Sequence, residues 1–141
     1  MVYPVNEIVF KIATSGRADT PTFATVAEVE SFSPSFDNNV EEWSPMEQHG
    51  WTRRLMTGKS ISFSMSGKRH YGDAGNDYIA GLAYKNGNDC NSILQVELQN
   101  GDTFEMPCVI NVSTAFGGDS TAVDTLEWEC MSDGEPTYVE A

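Results

Sequence analysis

Histidine, cysteine, serine and paired carboxylates are the side chains from which reactive centres are most often built, and the chain carries all four. His49 and His70 are the only histidines and stand 21 residues apart, outside the HxH or HxxxH spacings that bring two imidazoles onto one metal ion. Cys90, Cys108 and Cys130 contain no CxxC pair, and three thiols cannot all pair within one chain, so they read as reduced thiols. GDAGND, at Gly72 to Asp77, has the oxygen-rich character of a calcium loop but lacks the distal bidentate glutamate, and suits the start of a helix better. GKS, at Gly58 to Ser60, lacks the upstream glycine of a phosphate loop, and the residues after it alternate as a strand. Glu127 and Glu129 would project from one strand face, as a glycosidase pair could, yet two carboxylates there more often form a hydrophilic sheet surface. Ser60, Ser62, Ser64 and Ser66 have neither a GxSxG context nor an evident partner histidine. No catalytic residue, cofactor or metal ligand is therefore expected, and an enzyme ranks last among the functions considered.

The elements that would position these residues are mostly strands. Between Asp102 and Ser113 the side chains of Phe104, Met106, Cys108, Ile110 and Val112 point one way, and Thr103, Glu105, Val109 and Asn111 the other. Pro107 inside this run cannot donate a ladder hydrogen bond and suggests an edge or bulge. Ser92 to Gln99 alternates in the same manner, and Asn100-Gly101 between the two predicts a hairpin through a type I′ turn. Ser60 to Ser66 and Asp124 to Met131 are two further half-wet strands, Phe23 to Phe32 a weaker one, and Glu7 to Ala13 a short one. Tyr78, Ile79, Leu82 and Ala83 recur at helical spacing and predict one short helix over 76–86, with Asp73 or Asn76 as N-cap and Gly87 closing it. Ser33 to Gly50 has two prolines and no steady period but holds Phe36, Trp43 and Met46, so it is expected as a long loop that orders against something. Thr14 to Thr22 is a second flexible candidate. The expected architecture is one mainly β domain over residues 1–141.

Charge constrains the partners. The 141 residues carry 21 acids against 8 bases, a net charge of −13 that repels phosphate backbones and anionic lipid. No apolar run approaches the ~20 residues that cross a bilayer, and no secretory signal is visible, so synthesis in a cytoplasm is the expectation. The charge is also segregated. Residues 19–51 hold seven acids and no lysine or arginine, whereas residues 52–69 hold Arg53, Arg54, Lys59, Lys68 and Arg69 and no acid. A compact basic patch on an acidic molecule suits the acidic surface of another copy, joined head to tail. The alternative is that these bases are solvated or pair with the chain's own Glu41 and Glu42. Trp43 and Trp51 could anchor an interface, pack into the core, or form the aromatic platform of a monomeric carbohydrate- or adhesin-like binding module.

The string VEEWSPMEQHGWTRRLMTGKSISFSMSGKRHYGDAGNDYIAGLAY, Val40 to Tyr84, resembles the central region of major tail tube proteins from tailed phages of Gram-positive bacteria and related phage-tail-like particles. GGDSTAVDTLEWECMSDGEPTY, Gly117 to Tyr138, is similar to that family's closing segment. The resemblance implies an antiparallel β-sandwich or partly open barrel with one short helix and a long inter-subunit loop, polymerised as stacked hexameric rings. It implies a virion tail location and, as partners, further copies of itself, tape-measure, tail-terminator and baseplate proteins, a sheath protein if the tail contracts, and double-stranded DNA only in transit, with no membrane anchor. On this reading Arg53, Arg54, Lys59, Lys68, Arg69, Phe36, Glu41, Glu42, Trp43, Met46 and Trp51 lie at subunit interfaces. Gln95, Glu97, Gln99, Thr125, Glu127 and Glu129 face the lumen.

Overall fold

The computed structural model covers residues 1–141. Its strands are β1 (Val9–Ala13), β2 (Phe23–Thr25), β3 (Val29–Trp43), β4 (Arg53–Lys68), β5 (Asn91–Glu97), β6 (Thr103–Thr114), β7 (Thr125–Ser132) and β8 (Thr137–Val139), with helix α1 (Ala74–Gly81) between β4 and β5. They form one antiparallel sheet in the order β2-β1-β5-β6-β7-β4-β3, with β8 beside β6. Period-two alternation assigns its faces. Ile12, Leu94 and Met106 lie in one cross-strand row, and Val112, Trp128, Met65 and Phe32 in another, all on the apolar face. Lys11, Gln95 and Glu105 align on the other face, as do Asn111, Glu129, Ser64 and Ser33.

The sheet curls until its flanks touch. Phe10 of β1 meets Phe32 of β3 edge-on, ring centroids 4.8 Å apart, although β3 pairs only with β4. The result is a mainly β, partly open barrel joined across its gap by side chains, around one core that includes Phe10, Ile12, Phe63, Met65, Leu94, Met106, Leu126 and Trp128. Cys108 and Cys130 lie buried in this core and Cys90 is half-buried; all three are free thiols. Burial pushes the Cys130 thiol well up from its ordinary value, so it stays protonated and packs as a small apolar group.

Helix α1 is fastened by polar groups the periodicity does not reveal. Asp73 caps it, its Oδ2 accepting from the Asn76 and Ala27 amides. Asn76 is 1% exposed and fully bonded: Oδ1 accepts from Arg69 Nη1 and the His70 amide, while Nδ2 donates to the Ala27 and Lys68 carbonyls. The backbones approach closely here. A Cβ on Gly67 would fall 1.9 Å from the Glu28 carbonyl oxygen and one on Gly75 2.6 Å from that of Thr25, so only glycine fits at either position.

Several expectations are corrected. Ser33–Gly50 is not an irregular loop: its first eleven residues belong to the 15-residue strand β3, hydrogen-bonded to the 16-residue β4. The Phe23–Phe32 strand divides into β2 and the start of β3, because Glu28 adopts a left-handed φ of 64°. The Asn100-Gly101 hairpin forms without a type I′ turn, since only Gly101 has positive φ there and its amide donates to the Leu98 carbonyl. The helix starts at Ala74, capped by Asp73, and gives way at Leu82 to a single 3-10 turn; Gly87 begins another such turn rather than closing the helix. Thr14–Thr22 is pinned by Arg17, which donates to the Ser92 and Cys108 carbonyls and forms an ion pair with Asp133 at 2.8 Å.

Candidate functional site: the projecting hairpin and the polar sheet face

Beyond the barrel, β3 and β4 have only each other. β4 pairs with β7 from Ser62 to Lys68 and no further, yet the β3–β4 ladder continues past Phe36↔Ile61, from Asp37↔Ser60 to Trp43↔Arg53. Those rungs form a two-stranded arm. A register shift between Asn39 and Val40 leaves Thr57 as an extra residue, and the bulge is stitched by Asn39 Nδ2 donating to Thr57 Oγ1 at 2.7 Å. At the tip, Met46–Gln48 makes a single 3-10 turn, and left-handed His49 and Gly50 reverse the chain. A ribbon of this kind is marginal alone in water and needs a surface to cover its apolar groups. Here those groups stand in solvent: Met46 is 94% exposed, Trp51 77% and Leu55 59%, with Phe36, Val40, Trp43 and Met56 also exposed.

The five bases of residues 52–69 do not make a compact patch. Four are strung along β4, whose ends, Arg53 and Lys68, lie roughly 50 Å apart on an extended strand, and Arg69 follows directly after it. Three have partners within the chain: Arg54 Nε lies 2.8 Å from Glu42, Lys68 Nζ 3.1 Å from Glu30, and Arg69 Nη1 2.7 Å from Asp77. The Arg69 guanidinium beside Asp77 holds that carboxyl below its ordinary range. Arg53 and Lys59 have no carboxylate partner in the chain; the Arg53 guanidinium stands 5.7 Å from the centroid of the Trp43 ring, where it competes with stacking on an open aromatic platform.

The expected lumen-facing residues fall mostly on one surface. Gln95, Glu97, Thr125, Glu127 and Glu129 share the polar sheet face with Glu105, Asn111 and the serines of β3 and β4, as the cross-strand register requires. Gln99 does not: it lies in the turn after β5, and its Nε2 donates to the Pro4 carbonyl. Hydrogen bonds bind the face together. Ser62 Oγ donates to Glu129, Lys11 Nζ to Glu97 at 2.7 Å, and Gln95 Nε2 to Glu105 at 3.0 Å. No group of three or more His, Cys, Asp or Glu side chains is placed to hold a metal ion.

Sequence reasoning missed β8 and its fastening. Tyr138 donates its hydroxyl to Asp102, the Ala141 amide donates to Asp102 Oδ1 at 3.0 Å, and the Tyr138 bond holds the Asp102 carboxyl below its ordinary range. Three residues are too few for an alternation signal. The strand nature of Ser33–Trp43 did have one, since Phe32, Pro34 and Phe36 recur every second residue and project to the apolar face.

No protein-family model matches the chain, and no curated protein matches it in sequence. Its fold, however, is shared. A chain from the tail of an empty GTA particle, refined with C6 symmetry, superposes with a TM-score of 0.76 at 17% identity, covering 99% of this chain and 100% of that one. A chain of the native gene transfer agent virion gives a TM-score of 0.72 at 17% identity, over 99% and 100% of the two chains. A chain of the anti-feeding prophage tube-terminating cap gives 0.61 at 14% identity, over 100% and 94%. These likenesses establish the fold.

Proposed function

We propose that this chain is a non-enzymatic structural protein, one tail-tube domain over residues 1–141, that polymerises as stacked hexameric rings into the tube of a phage tail or phage-tail-like particle. The observation that carries the reading is the β3–β4 arm: a paired ribbon studded with apolar side chains and covered by nothing in its own chain. Large apolar side chains exposed together on both faces and at the tip of one ribbon mark an interaction site. The shared fold of tail and tube-cap chains supports identical copies as the partners, and the C6 symmetry of the GTA tail supports six to a ring. The sequence resemblance of Val40–Tyr84 favours a phage of a Gram-positive host.

In this polymer Phe36, Trp43, Met46, Trp51 and their flanking Glu41 and Glu42 lie against neighbouring subunits. Of the bases, Arg53 and Lys59 have no intrachain carboxylate and are the most available for ion pairs between copies; Arg54, Lys68 and Arg69 reach a neighbour only by sharing or exchanging their present partners. The face bearing Gln95, Glu97, Thr125, Glu127 and Glu129 lines the bore. Like charge there lets DNA pass, because the counterion-releasing phosphate contacts that anchor nucleic acid cannot form. The free long edge of β3, an aggregation hazard in a monomer, is covered by pairing between subunits. Such a tube is assembled in the host cytoplasm around a tape-measure protein and capped by terminator and baseplate proteins. Electron microscopy of the concentrated protein tests the reading: rings and tubes with the Glu127–Glu129 face inward are expected, and tubes with that face outward would refute the assignment of the bore.

A further inference from the structure

Where β4 leaves the sheet, the barrel opens into a cleft of about 410 Å³ walled by Phe32, Phe36, Phe63, Leu98, Phe104 and Tyr138. Its lining is almost wholly apolar, and no side chain of this chain fills it. The molecule thus presents two uncovered apolar features, this cleft and the arm tip with Met46 and Trp51. They cannot satisfy each other within one chain. Phe36 is in the cleft wall and Trp43 begins the tip, so seven residues of extended ribbon hold the two about 23 Å apart.

We propose that the arm tip of one copy seats in the barrel cleft of the next. The inference rests on the self-assembly reading above and names the socket that reading leaves open. The two features differ, so the contact is heterologous and repeats from copy to copy, with neighbours displaced by about the length of the arm. Charge fixes the register. Lys59 stands on the cleft rim without a carboxylate partner, and Glu47 stands on the tip without a cation. Glu135 shares the rim with Lys59 but forms no ion pair with it. Burial of Met46 and Trp51 supplies the affinity, while a Lys59–Glu47 pair, exposed and solvated, selects one seating among several.

The test is a covalent one. In a Cys90→Ser background, Glu47→Cys and Lys59→Cys are combined, polymer is formed, and the two thiols are bridged as thioethers by a short bis-maleimide, which spans the separation of a lysine–glutamate pair where a disulfide would not, before the product is run in denaturant. A ladder of covalently linked oligomers is expected from the double variant and from neither single one. Polymer without a ladder overturns the socket while leaving self-assembly standing, whereas failure of the unmodified chain to polymerise under any condition overturns the self-assembly reading itself. A charge exchange gives a second readout. Lys59→Glu and Glu47→Lys should each raise the critical concentration for assembly several-fold with unchanged circular dichroism, and the two together should restore it; additive losses would contradict the pairing. Laurate, an apolar chain with a carboxylate for Lys59, should inhibit assembly by occupying the cleft, and laurate binding that leaves assembly unaffected would also overturn the proposal.

Discussion

β3 and β4 run through two environments, and the contrast between them is the most instructive feature of the molecule. In the barrel half, Ile61, Phe63 and Met65 are buried against the core, and the intervening Ser62, Ser64 and Ser66 face the polar side. In the arm half, Leu55 and Met56 continue the same strand with side chains as apolar, opposite Glu41 and Val40, and stay in solvent. The hydrogen-bond ladder is continuous between the halves. Only the covering surface changes. A strand's conformation is therefore set by its partner strand, while its stabilisation comes from whatever lies over its apolar side chains.

The sharpest way to test this contrast is to truncate the same kind of side chain in each half. Phe63→Ala in the barrel should lower unfolding free energy by about 3–5 kcal/mol, read from chemical denaturation of the monomer. Asn76→Ala comes next. It leaves the Ala27 and Lys68 carbonyls and the His70 amide without their buried partner, and a loss of about 1–3 kcal/mol is expected. The strap formed by β8 should contribute less and depend on pH. The Tyr138 hydroxyl holds the Asp102 carboxyl below its ordinary value, so its contribution is fully present above the unfolded value of about 3.8 and disappears as pH falls through the folded value. The same bond holds the Tyr138 phenol up, so its contribution is lost again as pH rises past about 10. Thermal melts of Asp102→Asn and the native chain should thus differ at neutral pH and converge at strongly acid pH. The smallest effect on the monomer belongs to the arm: Leu55→Ser with Met56→Ser should change its unfolding free energy by no more than about 0.5 kcal/mol while sharply reducing polymer. A large loss of monomer stability in that variant would mean that the arm is part of the core.

The barrel half was legible in the sequence for the reason that makes it stable. Leu94, Val96, Met106, Cys108, Ile110, Leu126, Trp128 and Cys130 alternate because they bury one face against a surface in the same chain. The arm was read as a loop because, past the alternating Phe32, Pro34 and Phe36, its apolar residues fall on both faces of the ribbon and follow no steady period; its order comes from the register with β4, a nonlocal fact. Its bulky residues, Phe36, Trp43 and Met46, stand exposed on the ribbon and its tip. The basic cluster misled in the opposite direction. Five bases within eighteen residues suggest a patch only if the chain folds back on itself, and a single extended strand disperses them instead. Of the Asp73–Asn76–Arg69 fastening only the Asp73 cap was legible; the rest joins Asn76 to Arg69 and to the Ala27 and Lys68 carbonyls, groups that the fold brings together from separate elements.

The most direct test of the central claim, that the arm is completed by another copy of the same chain, is a cryo-electron microscopy reconstruction of the concentrated protein. The account predicts a six-fold polymer in which Met46 and Trp51 are buried against a neighbouring subunit. A particle that stays monomeric at every concentration and ionic strength, or a polymer whose arms remain bare in solvent, would contradict it.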